Sequence, residues 1–217
     1  MKNANLKKYL SEGFLIVFSV LFALFINKLF DDYKTSQKKE VAIESIKKEL
    51  NRNAFIVKDW KAKHIIIRDR IESINNGNLD SIKSELLKNK YLDFGVLTNQ
   101  ENLLDNTLTK TAWESAKSTG IIAEFDFNTI EILTQVYSLQ DLITDKTIGE
   151  LLNFYFDTET HNLDNIDQTL IQFQLRFWEL TGQEELMVYL YDDSLKKIEE
   201  RRTNALLVGQ WCKTSQT

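Results

Sequence analysis

Proline is absent from this 217-residue chain, glycine occurs seven times, histidine twice and cysteine once. Each shortage excludes something. At an ordinary usage of about 5%, roughly ten prolines would be expected. Proline breaks helix interiors and marks turns, so a chain without it reads as mostly helical. The lone Cys212 cannot close an intrachain disulfide, and one thiol suits either redox compartment. Basic surplus is lacking too. Residues 1–34 hold five lysines against three acids, a net +2, so the formal total of −5 leaves −7 on residues 35–217. A nucleic-acid binder normally shows a basic patch, and this balance argues against one. Motifs of familiar chemistry are missing as well. There is no G-x-S-x-G for a serine nucleophile, and no G-x-x-x-x-G-K-[ST] phosphate loop or H-E-x-x-H zinc helix.

What the chain does have is one long apolar segment. Between Gly13 and Ile26 only Ser19 interrupts Phe14, Leu15, Ile16, Val17, Phe18, Val20, Leu21, Phe22, Ala23, Leu24, Phe25 and Ile26, and Leu29 and Phe30 extend the run past Asn27 and Lys28. Gly13 to Phe30 is 18 residues, or about 27 Å of helix at 1.5 Å per residue. A hydrocarbon core of about 30 Å is crossed by about 17–25 residues, so this span suffices if Lys28 snorkels outward. Tyr9 and Tyr33 stand just beyond the two ends, where an aromatic belt belongs. A cleaved signal peptide should end in a small-x-small site, which Ile26-Asn27-Lys28-Leu29-Phe30 does not offer. The segment is therefore read as an uncleaved anchor in a bilayer, ahead of a buried helix or a cleaved signal.

Orientation follows from lysines near the ends. Lys2, Lys7 and Lys8 precede the segment, and Lys28, Lys34, Lys38 and Lys39 follow it. The count leaves both orientations open. A short basic tail usually stays in the cytoplasm, and the reading leans to a domain on the other side.

Beyond the anchor, two series interleave: Ile43, Leu50, Val57, His64, Ile71 and Ile46, Asn53, Trp60, Ile67, Ile74. Spacing of 3 and 4 alternates without a break, the a/d repeat of a helix that buries one stripe. No glycine or proline interrupts residues 31–76, and Asn75-Asn76-Gly77-Asn78 is a loop signal. Anchor and stalk thus read as one helix. A parallel homodimer would set Lys63 against Arg68 and Ile56 against Lys61, which is repulsive or neutral. An antiparallel bundle within the chain, with acidic later helices beside this basic one, is favoured over a homodimer through the stalk. The expected organisation is a basic tail over 1–12, a transmembrane helix over 13–30, a heptad-patterned helix over 31–76 and the remaining bundle helices over 77–217.

Those later helices are expected from Asp80 or Ser81 to about Lys90, from Thr109 to Thr119 with a stop at Gly120, and from an Asp126 or Asn128 cap through Ile132, Val136, Leu139 and Ile143. Further ones are expected over 147–156, from Asp164 to a stop at Gly182, and from about Glu184 to Trp211.

Candidate chemistry is thin. Asp157, Glu159 and His161 form a D-x-E-x-H string beside Asp164 and Asp167. On a helix Asp157 and His161 would share a face as metal ligands do, but no second His or Cys cluster completes a site, and a solvated acidic helix end is favoured. Asn53 and His64 are candidate polar core positions. Buried histidine titrates near neutrality and buried asparagine can set helix register. Phe154, Tyr155, Phe156, Phe173, Phe177, Trp178, Tyr189 and Tyr191 crowd the C-terminal half, as core packing or as the lining of a ligand pocket. No cofactor is called for.

The opening resembles an uncharacterised family of small single-pass membrane-anchored bacterial proteins common in Bacteroidetes. The residues that carry this are Ala23-Leu24-Phe25-Ile26-Asn27, the charged stretch from Lys38, and Trp113 to Gly120, with Glu12-Gly13 in reversed order and Lys28-Leu29-Phe30 in place of the usual Asn-Trp. The resemblance implies a bacterial inner-membrane protein and carries over no functional residue. The expectation is an all-α, single-pass anchored bundle acting as a non-catalytic scaffold or sensor-like domain for a protein partner. A small-molecule-binding domain is the alternative, and an enzyme using the acids around His161 a third.

Overall fold

With no glycine or proline between Gly13 and Gly77, nothing in the sequence breaks a helix there. In the computed structural model of the chain, helix α1 accordingly runs unbroken over Lys2–Asn75. The structure describes residues 2–214, with side chains over 12–200 apart from residue 80. α1 stops at a built terminus. Gly77 takes φ +73°, and the N–H groups of Gly77 and Asn78 return to the carbonyls of Ile74 and Ser73 at 3.0 and 2.9 Å. That is the Schellman pairing, and glycine adopts its left-handed residue without the Cβ clash.

α2 (Asp80–Leu86), α3 (Phe94–Thr98) and α4 (Thr111–Ser118) follow, then a 3₁₀ turn at Ile121–Glu124. α5 (Phe127–Asp141) passes through a π-helical segment (Leu142–Thr147) into α6 (Ile148–Phe156), and short 3₁₀ turns lead to α7 (Ile166–Thr214). No strand occurs among the described residues, and the fold is all-α. The chain divides into two compact units, residues 1–45 with 112–125, and residues 46–111 with 126–217.

In the first unit the apolar segment of α1 is uncovered, from 72% exposure at Phe14 to 46% at Ile26. One helix among the described residues is thus long and apolar enough to cross a membrane. Residues 112–125 bury Trp113, Ala116 and Phe125. Lys117 lies over the Trp113 ring at 5.5 Å and pairs with Glu114 at 2.8 Å. Gly120, at φ +73°, ends α4.

The second unit is built on the heptad stripe. Ile46, Leu50, Asn53, Val57, Trp60, His64, Ile67, Ile71 and Ile74 are all buried. Burying one such aliphatic side chain contributes about 1.5–3 kcal/mol. Their partner is α7, whose stripe of Phe173, Phe177, Leu180, Glu184, Met187, Tyr191, Ser194 and Ile198 is buried in turn. Polar pairs give the direction. Lys47 meets Glu199, Lys58 meets Asp192 and Lys61 meets Glu185, while Asn75 donates to Gln174 at 2.6 Å. Ascending α1 descends α7, so the two are antiparallel, basic against acidic. The opposite flank of α1 meets the segment after α2. Lys63 pairs with Asp105, and Arg70 donates to the carbonyls of Val96 and Leu97 at 2.9 and 3.1 Å. Of the cations that would repel in a parallel pair, Lys63 meets Asp105 and Arg68 donates to Asp69 and Thr181, all within this unit.

Four local expectations need correction. α2 ends at Leu86 rather than Lys90 and has Leu79 at its N-cap without a side-chain bond, so Ser81 does not cap it, while the expected Asp80 cap lies outside the described side chains. Gly182 does not stop a helix: α7 runs through it. An interior glycine costs about 1 kcal/mol, which the continuous buried stripe on both sides outweighs. The helix expected over 147–156 is present as α6, which continues from α5 without a break through the π turn. On α5 the buried face is Thr129, Leu133, Val136, Tyr137 and Gln140, continued by Ile143 of the π segment, so Ile132 and Leu139 stand one residue off it.

Candidate functional site

The second unit contains a line of polar groups where an apolar core is the default. Three stripe positions of α1 carry it: Asn53, Trp60 and His64, exposed by 0%, 2% and 1%. The helix places them on one face because 3.6 residues make a turn.

At Asn53 three helices meet. Its amide donates to Gln140 Oε1 at 3.1 Å and to the Thr109 carbonyl at 2.6 Å, and its Oδ1 accepts from the Thr109 N–H at 3.1 Å. Tyr191 of α7 donates to the same Gln140 oxygen at 2.8 Å, and Gln140 Nε2 donates to Thr109 O at 3.3 Å. One turn below Asn53 on α1, Glu49 accepts from the Tyr137 hydroxyl at 2.7 Å. Burial, above all, pushes both the Tyr137 and Tyr191 phenols far above the ordinary range, with Glu49 adding to it. Both remain neutral donors. Such a network, fully satisfied, specifies one arrangement of its helices.

His64 lies against Glu184 of α7, Nδ1 to Oε1 at 2.7 Å, and its Nε2 reaches the Leu103 carbonyl at 3.1 Å. Glu184 is 0% exposed and its Oε2 has no partner among the described residues. A carbonyl only accepts, so Nε2 carries a proton. Nδ1 then either accepts from a protonated Glu184 or, as imidazolium, donates to a carboxylate. The pair holds one mobile proton. Burial raises the Glu184 carboxyl above its ordinary range, and the His64 bond and charge, then Lys61, pull the other way. The Phe177 ring, 5.8 Å from His64, closes the apolar side.

Trp60 lies between these two polar groups. Its indole N–H is buried without a partner among the described residues, and the Trp60 side chain is part of the lining of a cavity of about 260 Å³ together with Gln140, Asp141, Thr144 and Asp145.

The other candidates disperse. Asp157 caps a 3₁₀ turn, accepting from Glu159 N at 2.8 Å, so it shares no α-helical face with His161. His161 lies against the Tyr155 and Tyr91 rings at 5.5 and 6.3 Å. Among the described residues no three His, Cys, Asp or Glu side chains gather as a metal-binding group. Of the C-terminal aromatics, Phe173, Phe177 and Tyr191 are core, whereas Phe156, Trp178 and Tyr189 are exposed. Tyr155 and Phe156 line a second, more open cavity of about 410 Å³. Cys212, Tyr9 and the lysines at 2, 7 and 8 lie outside the described side chains.

Sequence reasoning found Asn53 and His64 but missed Gln140, Glu184 and Glu49. Glu184 had a legible signal, an acid at the 3–4 spacing of Phe177, Leu180, Met187 and Tyr191. The helix break expected at Gly182 hid it. Neither protein-family models, nor curated proteins, nor solved structures gave a match to this chain.

Proposed function

We propose that this protein is a non-catalytic module anchored by a single pass in a bacterial inner membrane, presenting a scaffolding or sensor-like helical bundle to a protein partner there. The carrying observation is that one helix, α1, holds both an uncovered apolar segment at Phe14–Ile26 and the buried seam with α7. Thirteen residues apolar on every side but for Ser19 have no use for water, and a bilayer is the solvent that suits them. The resemblance of the opening residues to small single-pass bacterial proteins supports the same reading. The bundle is net acidic, which favours a protein over a nucleic acid as partner. The periplasmic side is favoured for the bundle, on the short basic tail. The buried polar groups serve specificity of packing in this reading, since no activated nucleophile stands among them.

Cell fractionation with a topology reporter fused after Thr217 tests this. The chain should stay with membranes through alkaline carbonate, and Phe18→Arg should weaken that retention, because a cation at mid-bilayer costs about 2.5–3.5 kcal/mol on insertion scales. A periplasmically active reporter is expected. Release of the wild-type chain by carbonate would overturn the anchor, and a cytoplasmic reporter would reverse its orientation.

A second reading, a small-molecule-binding domain, is favoured by one observation, the cavity at Trp60.

A further inference from the structure

Helix α7 carries a second apolar face, which the bundle leaves uncovered. Its core face is Phe173, Phe177, Leu180, Glu184, Met187 and Tyr191. On the other side Ile171, Leu175, Trp178, Leu186 and Tyr189 are exposed by 48%, 59%, 55%, 49% and 62%. With Gly182 they recur at steps of 4, 3, 4, 4 and 3, the spacing that keeps side chains on one face of a helix. That face is about 27 Å long at 1.5 Å per residue. Single exposed apolar residues are ordinary, whereas a continuous exposed patch marks an interaction surface.

Gly182 lies in the middle of this face. Glycine is among the poorest residues for a helix interior, and nothing inside the chain asks for it here. A Cβ added at Gly182 would meet no atom within 4 Å, and α7 runs through the position as regular helix. What glycine does supply at such a place is room for a second backbone to come close.

Charge and area say what that second backbone belongs to. Glu185 pairs with Lys61. Arg68 of α1 lies over the Trp178 ring at 5.5 Å and pairs with Asp69 at 2.8 Å. Glu179 accepts from the neutral Gln183 Nε2 at 2.6 Å and is the one acid of this border without a cation among the described residues. A basic or an acidic helix therefore finds no row of opposite charge to read. A second copy meets no row of like charge either, unlike the Lys63 against Arg68 of a parallel stalk pair. Five large side chains at roughly half exposure offer on the order of 500 Å² of apolar surface, high in the range a monomer shows. Two such faces together bury on the order of 1,000 Å², the area a specific interface needs. A different partner would have to bring a matching apolar face of its own, and a second copy brings one by construction.

We infer that the outer face of α7 is a homodimer interface, in which the same patch of two copies packs together and Gly182 lets the two backbones draw close. This goes beyond the anchored-module reading and stands without it, because every residue invoked lies in the second unit.

The test is the mass of the full chain in detergent by light scattering over the micromolar range, with Cys212 kept reduced. A dimer is expected. Leu175→Glu and Leu186→Glu should each weaken its dissociation constant about tenfold or more, since a carboxylate would be buried against apolar side chains. Phe55→Glu, on α1 and 75% exposed, should leave it unchanged. Gly182→Gln should act in two opposite directions. In dilute, monomeric samples it should raise the urea midpoint, because glutamine suits a helix better than glycine and has open space there. At higher concentration it should weaken the dimer about tenfold or more. A solely structural glycine would not separate the two readouts. If the glutamate variants lose their helical circular dichroism, the Gly182→Gln arm decides alone. A monomeric wild-type chain would overturn the inference. So would a dimer that Leu175→Glu, Leu186→Glu and Gly182→Gln leave intact, or one that Phe55→Glu weakens as much. None of these substitutions touches Phe14–Ile26, so a dimer made through the anchor would survive them all, and failure here is distinct from failure of the anchor.

Discussion

Two apolar stretches of α1 are opposite in fate. From Phe14 to Ile26 the side chains are apolar on every face and remain uncovered; from Ile46 to Ile74 one face alone is apolar, and it is buried. The difference lies in periodicity as well as in amount. A helix hydrophobic all round has no polar face to give to water and suits a bilayer or a deep core, whereas a stripe at 3–4 spacing asks for another helix beside it. The flanks complete the contrast. Around the stripe stand Lys47, Lys58, Lys61 and Lys63, each with an acid to meet.

The contrast can be broken most forcefully by matched truncations. Leu50→Ala should cost about 2–5 kcal/mol of bundle stability, the usual loss for a buried leucine, while Leu21→Ala should leave the same urea midpoint unmoved. Equal effects at the two positions would show that residues 14–26 are part of a core.

Next in size is Asn53→Ala. It strips partners from Gln140 and the Thr109 backbone together, and orphaned buried groups cost about 1–3 kcal/mol. Urea denaturation measures the loss, and a change below about 0.5 kcal/mol would mean that water replaces the amide.

The Glu184 proton gives a pH signature. The carboxyl is raised from an ordinary 4.5 by burial, so the folded state keeps a proton that the unfolded chain releases. Linkage then makes stability fall with rising pH. The contribution is complete below about pH 4.5 and drains away as pH climbs through the raised folded value. Glu184→Gln removes that carboxyl, and its stability should fall less steeply over that window than the wild type's. Parallel curves from chemical denaturation at a series of pH values would refute the shared proton.

The smallest effect belongs to the rim. Lys58 and Asp192 are 51% and 55% exposed, and exposed pairs contribute about 0.2–1 kcal/mol. A double-mutant cycle on Lys58 and Asp192 should give a coupling in that range that vanishes in high salt. A coupling indifferent to salt would mean the pair is less hydrated than its exposure suggests.

How far the fold could be read in advance differs by element. The stripe of α1, its end at Gly77 and the Asp126 cap, which accepts from Thr129 N at 3.1 Å, depend on neighbours within a few residues. All three were legible for that reason. The passage through Gly182 was not, because local propensity argues for a stop there, and only the burial of Phe177, Leu180, Glu184 and Met187 on one face overrides it. The same miss concealed half of the His64 pair. The buried face of α5 differs by one residue from the expected one, since Tyr137 and Gln140 are polar enough to be passed over as surface. Their place inside depends on Glu49, Asn53 and Tyr191, residues far away along the chain.

Chain composition and periodicity alone therefore established an all-helical molecule, an apolar segment apart from the rest, and one striped, basic helix seeking an acidic partner. These follow from propensity, hydropathy and charge, which act locally or through simple sums. Which acids meet which lysines, that His64 shares a proton with Glu184, and that Trp60 keeps an idle N–H beside a small cavity were settled by packing. Each depends on groups brought together from α1, α5, α7 and the intervening loop, and distance in space is a quantity that spacing along one chain does not contain.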